Sequence, residues 1–236
     1  MSPANFLIPV LILLGLALLV IGVVAVVVRI YRREAVDISF RQILIVYCYA
    51  VTLVSLVTLV LGLASLANAG LRAAFGREFS FQAPPVIMRP IEGPPGAERA
   101  RTVSEQEQQE RRTRALENAF RESLVQGVTL PLVGALIAAV HILARRRLEP
   151  ATGPDAGFFR KPYLALLLAV FGAVALVSLP AGISEALRYA VTEPDPESYR
   201  PAPGGSLANA LAFTPFWLYF LWATVREWRS SAEGAA

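Results

Sequence analysis

The chain has 236 residues, of which 55% are hydrophobic and only 17% are charged, and its mean hydropathy is +0.52. This composition excludes a disordered chain, a secreted disulfide scaffold and an ordinary soluble enzyme. The single cysteine, Cys48, cannot form an intramolecular disulfide and is predicted to be a small buried residue. The net charge of +4 does not predict nucleic-acid binding, because most arginines lie at helix ends or near acids.

Five long stretches of the chain contain no charged residue. They are residues 1–28, 42–71, 123–144, 162–184 and 201–225. A bilayer core about 30 Å thick needs roughly 20 apolar residues in a helix. The sequence therefore predicts an all-α integral membrane protein with five transmembrane helices. We divide it into an N-terminal anchor (1–33), a first helical hairpin (40–147) with a long outer loop (72–122), and a second hairpin (159–229).

The arginines predict the orientation of these helices. The first stretch lacks a basic leader and a cleavage site, which indicates an uncleaved anchor. Eleven basic residues occupy the three short segments that follow the first, third and fifth stretches: Arg29, Arg32, Arg33, Arg41, Arg145, Arg146, Arg147, Arg160, Lys161, Arg226 and Arg229. Short basic segments stay in the cytoplasm, so the N-terminus is expected outside and the C-terminus inside. The loop 72–122 is expected outside, since long loops translocate largely regardless of charge.

Comparison of the two hairpins indicates an internal repeat in the sequence. Residues 40–42 and 71–72 correspond to 159–161 and 187–188, and Pro131 and Arg145 correspond to Pro215 and Arg226. Two hairpins of the same orientation are predicted to form a parallel repeat about an axis along the membrane normal. The preference for arginine over lysine, with abundant Ala, Gly and Pro, indicates a GC-rich bacterial genome and therefore the inner (plasma) membrane.

Two-helix units with these end residues resemble a family of uncharacterised bacterial multi-pass membrane proteins, catalogued as a domain of unknown function. The residues that carry the resemblance are 40–66, 130–147, 159–187 and 216–229. The chain departs from the family's pattern in its long first hairpin loop and at Val140-His141-Ile142, where an aromatic-rich run is expected. The resemblance implies a helical membrane fold and brings no activity, cofactor or catalytic residue.

The outer loop contains the best helix signal outside the predicted spans. Ser104 and Glu107 have the spacing of a capping box, and Glu-to-Arg pairs recur at i,i+4, as at Glu110–Arg114. The helix is expected to start at Ser104 and to continue into the third span. Its apolar stripe, Leu116, Phe120 and Leu124, is a candidate contact surface for a partner protein. A solvated helix that only caps the bundle is the alternative.

Ionisable residues inside membrane spans are the first place to look for chemistry. Three qualify: His141 in the third span, and Glu185 and Arg188 in the fourth. A lone His is more often an interfacial or packing residue than a ligand, and Glu185 and Arg188 are spaced to form a structural ion pair. We expect no catalytic, cofactor or metal site, because no known motif occurs and one His cannot build a His-rich metal site.

Several residues are predicted to govern helix packing. Gly134-x-x-x-Ala138 and Ala135-x-x-x-Ala139 both allow close helix approach, and polar residues such as Thr52, Ser55 and Thr58 are expected to form hydrogen bonds between helices. Pro131, Pro180 and Pro215 are expected to kink their helices. Three kinked helices could also line a cavity.

The sequence therefore favours a non-catalytic membrane protein that acts as an accessory, assembly or interaction subunit. Its expected partners are membrane lipid and either a protein partner or further copies of itself, with no nucleic acid. The alternative is a small-solute transporter or channel-like protein with a path between the two hairpins. That path would need a polar cavity around Thr129, Pro131, Asn209 and Pro215. A sensor whose outer loop binds a ligand is a third possibility, but no inner segment resembles an output domain.

Overall fold

A computed structural model describes residues 40–81, 97–149, 159–191 and 202–233. Within these ranges the protein is entirely helical and contains no strand. It has four long helices, α1 (Phe40–Phe75), α3 (Ala97–Leu148), α4 (Arg160–Val191) and α5 (Gly204–Glu233), and the short helix α2 (Arg77–Ser80). The all-α prediction is confirmed.

All four long helices are long and apolar enough to cross a membrane. The candidate spans are Phe40–Phe75, Gln109–Leu148, Arg160–Val191 and Gly204–Arg229, which match the second to fifth predicted spans. The first predicted span, in residues 1–28, lies outside the described residues. A count of five transmembrane helices is therefore not supported, and the described ranges contain four candidates.

Helix α3 runs without interruption for 52 residues, which confirms that the helix predicted in the loop 72–122 continues into the third predicted span. At 1.5 Å per residue it is about 78 Å long, more than twice the thickness of a bilayer core. The predicted start at Ser104 is wrong, because α3 begins at Ala97. The residues after Pro94-Pro95-Gly96 contain no helix breaker, so the helix begins directly behind that run.

The described residues fall into two units, and each long helix contributes to both. Unit 1 takes its described residues from Met1–Gly62, Thr129–Ala175 and Phe213–Ala236. Its fully buried large side chains are Tyr49, Thr52, Leu53, Val60, Leu167, Phe171 and Phe213. Phe171 on α4 lies 5.3–5.8 Å, between ring centroids, from three phenylalanines of α5. This aromatic cluster joins α4 to α5.

Unit 2 takes its described residues from Leu63–Val128 and Leu176–Ala212. Helices α1 and α3 meet here at Gly127, whose Cα faces the backbone of Leu66. The Ser123 hydroxyl donates a hydrogen bond to the Ser65 carbonyl over 2.8 Å. The short helix α2 packs through Phe79, whose ring centroid lies 5.2 Å from that of Tyr189 on α4.

Three hydroxyl groups of α1 do not form the predicted interhelical hydrogen bonds. Thr52, Ser55 and Thr58 each donate to the carbonyl four residues earlier in α1, over 2.7–2.9 Å. A Ser or Thr side chain in a helix reaches that carbonyl without help from a neighbour, which satisfies the hydroxyl inside an apolar environment. Pro131, Pro180 and Pro215 all lie inside helices that continue past them.

Candidate functional site

A cluster of charged and aromatic side chains lies in unit 1 at the carboxyl end of α3. Arg145 belongs to the last turn of α3, and Glu149 follows the helix directly. The Glu149 carboxylate lies 3.7 Å from Nε of Arg145 and accepts a hydrogen bond from the hydroxyl of the fully buried Tyr49. The same carboxylate thus connects α1 to the end of α3.

The Arg145 guanidinium also lies against two aromatic rings. Its Cζ is 4.4 Å from the ring centroid of Tyr49 on α1 and 5.8 Å from that of Tyr163 on α4. The two tyrosine rings pack against each other with centroids 4.5 Å apart. A cation over aromatic faces is stabilised by their quadrupoles, and more strongly where water is excluded. Arg145, only 20% exposed, therefore holds three helices together.

A cavity of about 800 Å³ opens beside this cluster, within unit 1. Residues from all four long helices line it: Thr52, Leu56, Ile142, Arg145, Arg146, Glu149, Arg160, Tyr163, Leu164, Leu167, Pro215, Phe216, Tyr219, Phe220 and Ala223. Three arginines and one glutamate make its charged part net positive, and the remaining wall is mostly aliphatic and aromatic. Such a cavity can bind a molecule that is anionic at one end and apolar at the other.

The Tyr163 hydroxyl and the Arg146 guanidinium are two polar groups of the cavity that have no partner among the described residues. Tyr163 is only 5% exposed, and its buried hydroxyl has no hydrogen-bond partner among the described residues. Arg146 is exposed and forms no ion pair with any described carboxylate. A buried hydroxyl without a partner is costly, so a ligand oxygen that accepts from it would be stabilised.

The residue types at the site supply binding and electrostatics. Arginine and tyrosine donate hydrogen bonds and attract negative charge, and Glu149 is already occupied by Tyr49 and Arg145. No group of three or more His, Cys, Asp or Glu that could hold a metal ion occurs in the part of the chain that is described.

Of the residues singled out from the sequence, His141 lies in unit 1 but not at the cavity. Its ring packs edge-on against Tyr47 of α1, with centroids 5.7 Å apart. Its Nδ1 is 2.8 Å from the carbonyl oxygen of Ile137, one turn earlier in α3. These contacts fit the packing role that we considered for a lone histidine.

Glu185 and Arg188 lie on α4 within unit 2. They form no salt bridge with each other in the described structure, and Arg188 is exposed. The predicted spacing is present, but spacing at i,i+3 alone does not bring the two charged groups together.

The apolar stripe on α3 is partly used inside unit 2. Leu116 is 5% exposed, and its carbonyl accepts a hydrogen bond from Arg72 of α1 over 3.3 Å. The ring of Phe120 lies under the Arg72 guanidinium, 4.0 Å from Cζ to centroid. Leu124 is 37% exposed. The predicted partner surface therefore retains Leu124 as its exposed member, and the partner contact itself stays a prediction.

Most residues of the cluster and the cavity are not predicted from the sequence. Arg145 and Arg160 indicate only the orientation and the repeat, Arg146 indicates only the orientation, and neither Tyr49 nor Glu149 is among the predicted site residues. One signal was present: Glu149 is the only acid within five residues of the Arg145–Arg147 run. A lone acid beside three arginines at a helix end indicates a local ion pair.

The fold and the site together define a helical protein of the kind that crosses membranes, with an amphipathic, net positive cavity. The family model described as Domain of unknown function (DUF5671) matches residues 107–219, from the first quarter of α3 into α5. The resemblance to an uncharacterised domain family is thereby confirmed over that range. Its bacterial origin and its two-helix repeats stay predictions. No curated protein and no solved structure matches the chain.

Proposed function

We propose that the protein is a non-catalytic, multi-pass subunit of the bacterial inner membrane that acts by interaction, as an accessory or assembly factor. The observation that carries this proposal is the surface of α3. In the most apolar 18-residue segment of α3, only 17% is buried inside the chain. The corresponding segments of the other three candidate spans are 28–44% buried. Its exposed apolar side chains include Leu132 and Leu136, each 67% exposed.

The two small-residue pairs on α3 face different environments. Gly134 and Ala138 are buried and pack within the chain, with Gly134 against α1. Ala135 and Ala139 are exposed. Small residues four apart let a second helix approach closely in a membrane. The exposed pair therefore supports docking of a transmembrane helix from a partner subunit.

Substitution of Ala139 by leucine is expected to remove the partner. The larger side chain would block close approach at an exposed position without disturbing internal packing. Ala173→Leu is the matched control, since Ala173 is an exposed alanine of α4. The measurement is native mass spectrometry after purification from the protein's own membrane in a mild detergent. The wild type and the control should carry a stoichiometric second protein that Ala139→Leu has lost.

A wild type that purifies alone or as a homo-oligomer would contradict the accessory role, and the transporter alternative would then come first. One observation favours that alternative. The cavity of unit 1 is lined by both predicted hairpins and includes Pro215. The other three positions expected around a solute path do not line it: Pro131 packs on Gly62, Thr129 is exposed, and Asn209 belongs to unit 2.

The proposed orientation places the N-terminus outside and the C-terminus in the cytoplasm. Cys48, the only cysteine, is buried and can be replaced by alanine to give a thiol-free background. In spheroplasts, a membrane-impermeant maleimide should label Gln106→Cys and leave Arg147→Cys unlabelled until the membrane is opened. Both positions are exposed, so burial does not explain a difference. The reverse pattern would mean that the chain is inserted the other way round.

Corresponding arginines of the two hairpins make similar contacts, which supports the proposed repeat. Nε of Arg41, near the start of α1, donates to the carbonyl of Leu148 at the end of α3 over 2.7 Å. Arg160, the first residue of α4, forms an ion pair of 3.2 Å with Glu227 near the end of α5. In each hairpin, the arginine at the start of the first helix thus contacts a residue near the end of the second helix.

A further inference from the structure

The charges around the cavity of unit 1 do not balance. Arg145 is matched by Glu149, and Arg160 by Glu227, at 3.7 and 3.2 Å. Arg146 also lines the cavity and has no carboxylate among the described residues. One positive charge therefore remains available to a ligand, and an anion placed there meets an arginine that can form a charge-assisted hydrogen bond.

The Tyr163 hydroxyl provides a second, independent sign of a ligand. Its residue is 95% buried (5% exposed), it lines the cavity, and its oxygen has no partner among the described residues. The neighbouring tyrosine of the cluster, Tyr49, has its hydroxyl satisfied by Glu149. The donor on Tyr163 is thus the unsatisfied one of the pair, and an acidic oxygen would satisfy it.

The rest of the wall favours an organic ligand over a small inorganic ion. Leu56, Leu164, Leu167, Phe216 and Phe220 give the cavity a large apolar surface. Its volume of about 800 Å³ lies within the range of sites that enclose an extended organic ligand. An apolar chain would release water from this surface, whereas a free phosphate would leave it wet.

We propose that this cavity binds an anionic membrane lipid, with the phosphate at Arg146 and Tyr163 and one acyl chain along Leu164, Leu167 and Phe216. Basic pockets between transmembrane helices on the cytoplasmic side are known to suit acidic headgroups. The proposal rests on the proposed orientation but not on the accessory role, because the lining residues belong to unit 1 and Ala139 is not among them.

The test uses the full chain, purified and stripped of lipid in detergent. Native mass spectrometry then measures binding of phosphatidylglycerol and of diacylglycerol, which lacks the phosphate, with the same acyl chains. The wild type should bind phosphatidylglycerol about tenfold more tightly, as expected for one charge-assisted hydrogen bond. Arg146→Gln should remove this preference. Arg147→Gln is the matched control: it removes the same charge one residue further along α3, from an exposed side chain that does not line the cavity, and should change affinity less than about twofold.

Tyr163→Phe should weaken phosphatidylglycerol about fivefold and leave diacylglycerol unchanged, because only the hydroxyl that donates to the phosphate is lost. If that variant does not fold, the Arg146→Gln variant alone tests the lipid-binding proposal, since Arg146 is exposed and has no ion-pair partner among the described residues. Equal binding of the two lipids by the wild type would overturn the proposal, as would equal effects of Arg146→Gln and Arg147→Gln. Displacement of phosphatidylglycerol by excess inorganic phosphate would show an anion site without lipid selectivity and would also overturn it.

Discussion

Replacement of Gly134 by alanine is expected to lower the free energy of unfolding by about 2–3 kcal/mol. A Cβ at this position of α3 would lie 2.7 Å from the carbonyl oxygen of Ser55 and 2.8 Å from the amide nitrogen of Leu59. Both atoms belong to the backbone of α1 and cannot rotate away, so the two helices would have to separate. The measurement is denaturant unfolding in detergent micelles, followed by helical circular dichroism.

Gly70→Ala is the control for this prediction. Gly70 also lies within a long helix, α1, but a Cβ there would meet nothing within 4 Å. Alanine has the better helix propensity by about 1 kcal/mol, so the control should be neutral or slightly stabilising. A loss of stability of the same size in both variants would show that the glycines act through the helix backbone alone and that close approach to α1 is not what Gly134 provides.

Arg72→Gln is expected to lower the free energy of unfolding by about 2 kcal/mol through the lost cation–π contact alone. Arg72 is 7% exposed, and its guanidinium lies 4.0 Å from the ring centroid of Phe120. It also donates to the Leu116 carbonyl over 3.3 Å and forms an ion pair of 3.0 Å with Glu117. The variant should be compared with the wild type by the same denaturant unfolding.

Glu117→Gln separates the ion pair from the other contacts of Arg72. The Glu117 side chain is 38% exposed, so water screens its charge and its loss should matter less than the loss of Arg72. An effect of Glu117→Gln as large as that of Arg72→Gln would mean that the ion pair, and not the Phe120 ring, holds Arg72 at this position.

Much of the fold could be predicted from the order of charged and apolar residues. The long uncharged stretches marked four helices that the structure contains, because a helix that satisfies its own backbone can be apolar on every side. The continuity of α3 was also predictable, since neither glycine nor proline occurs between Ser104 and Gly127. The start of α3 was not, because a capping-box spacing has no effect when the residues before it can also be helical.

The site could not be predicted in the same way. Tyr49 and Glu149 are 100 residues apart, and nothing local to either residue indicates that they share a hydrogen bond. The three arginines of the cavity indicate orientation in the sequence, and nothing near them in the sequence indicates that they line a cavity. Glu185 and Arg188 had the spacing of an ion pair that the structure does not form, because rotamers and not spacing decide such contacts.

The order of apolar and charged residues is enough to predict that the chain can cross a membrane, where its four described long helices lie, and where the basic residues gather. It does not predict which face of each helix is internal, which is seen in the packed structure. Gly134/Ala138 and Ala135/Ala139 are equivalent in sequence, yet one pair packs inside the chain and the other is exposed. A helix in lipid is apolar on every side, so it lacks the difference between a polar and an apolar face that identifies the buried face of a soluble helix. Packing shape, which the tertiary structure alone contains, makes that choice.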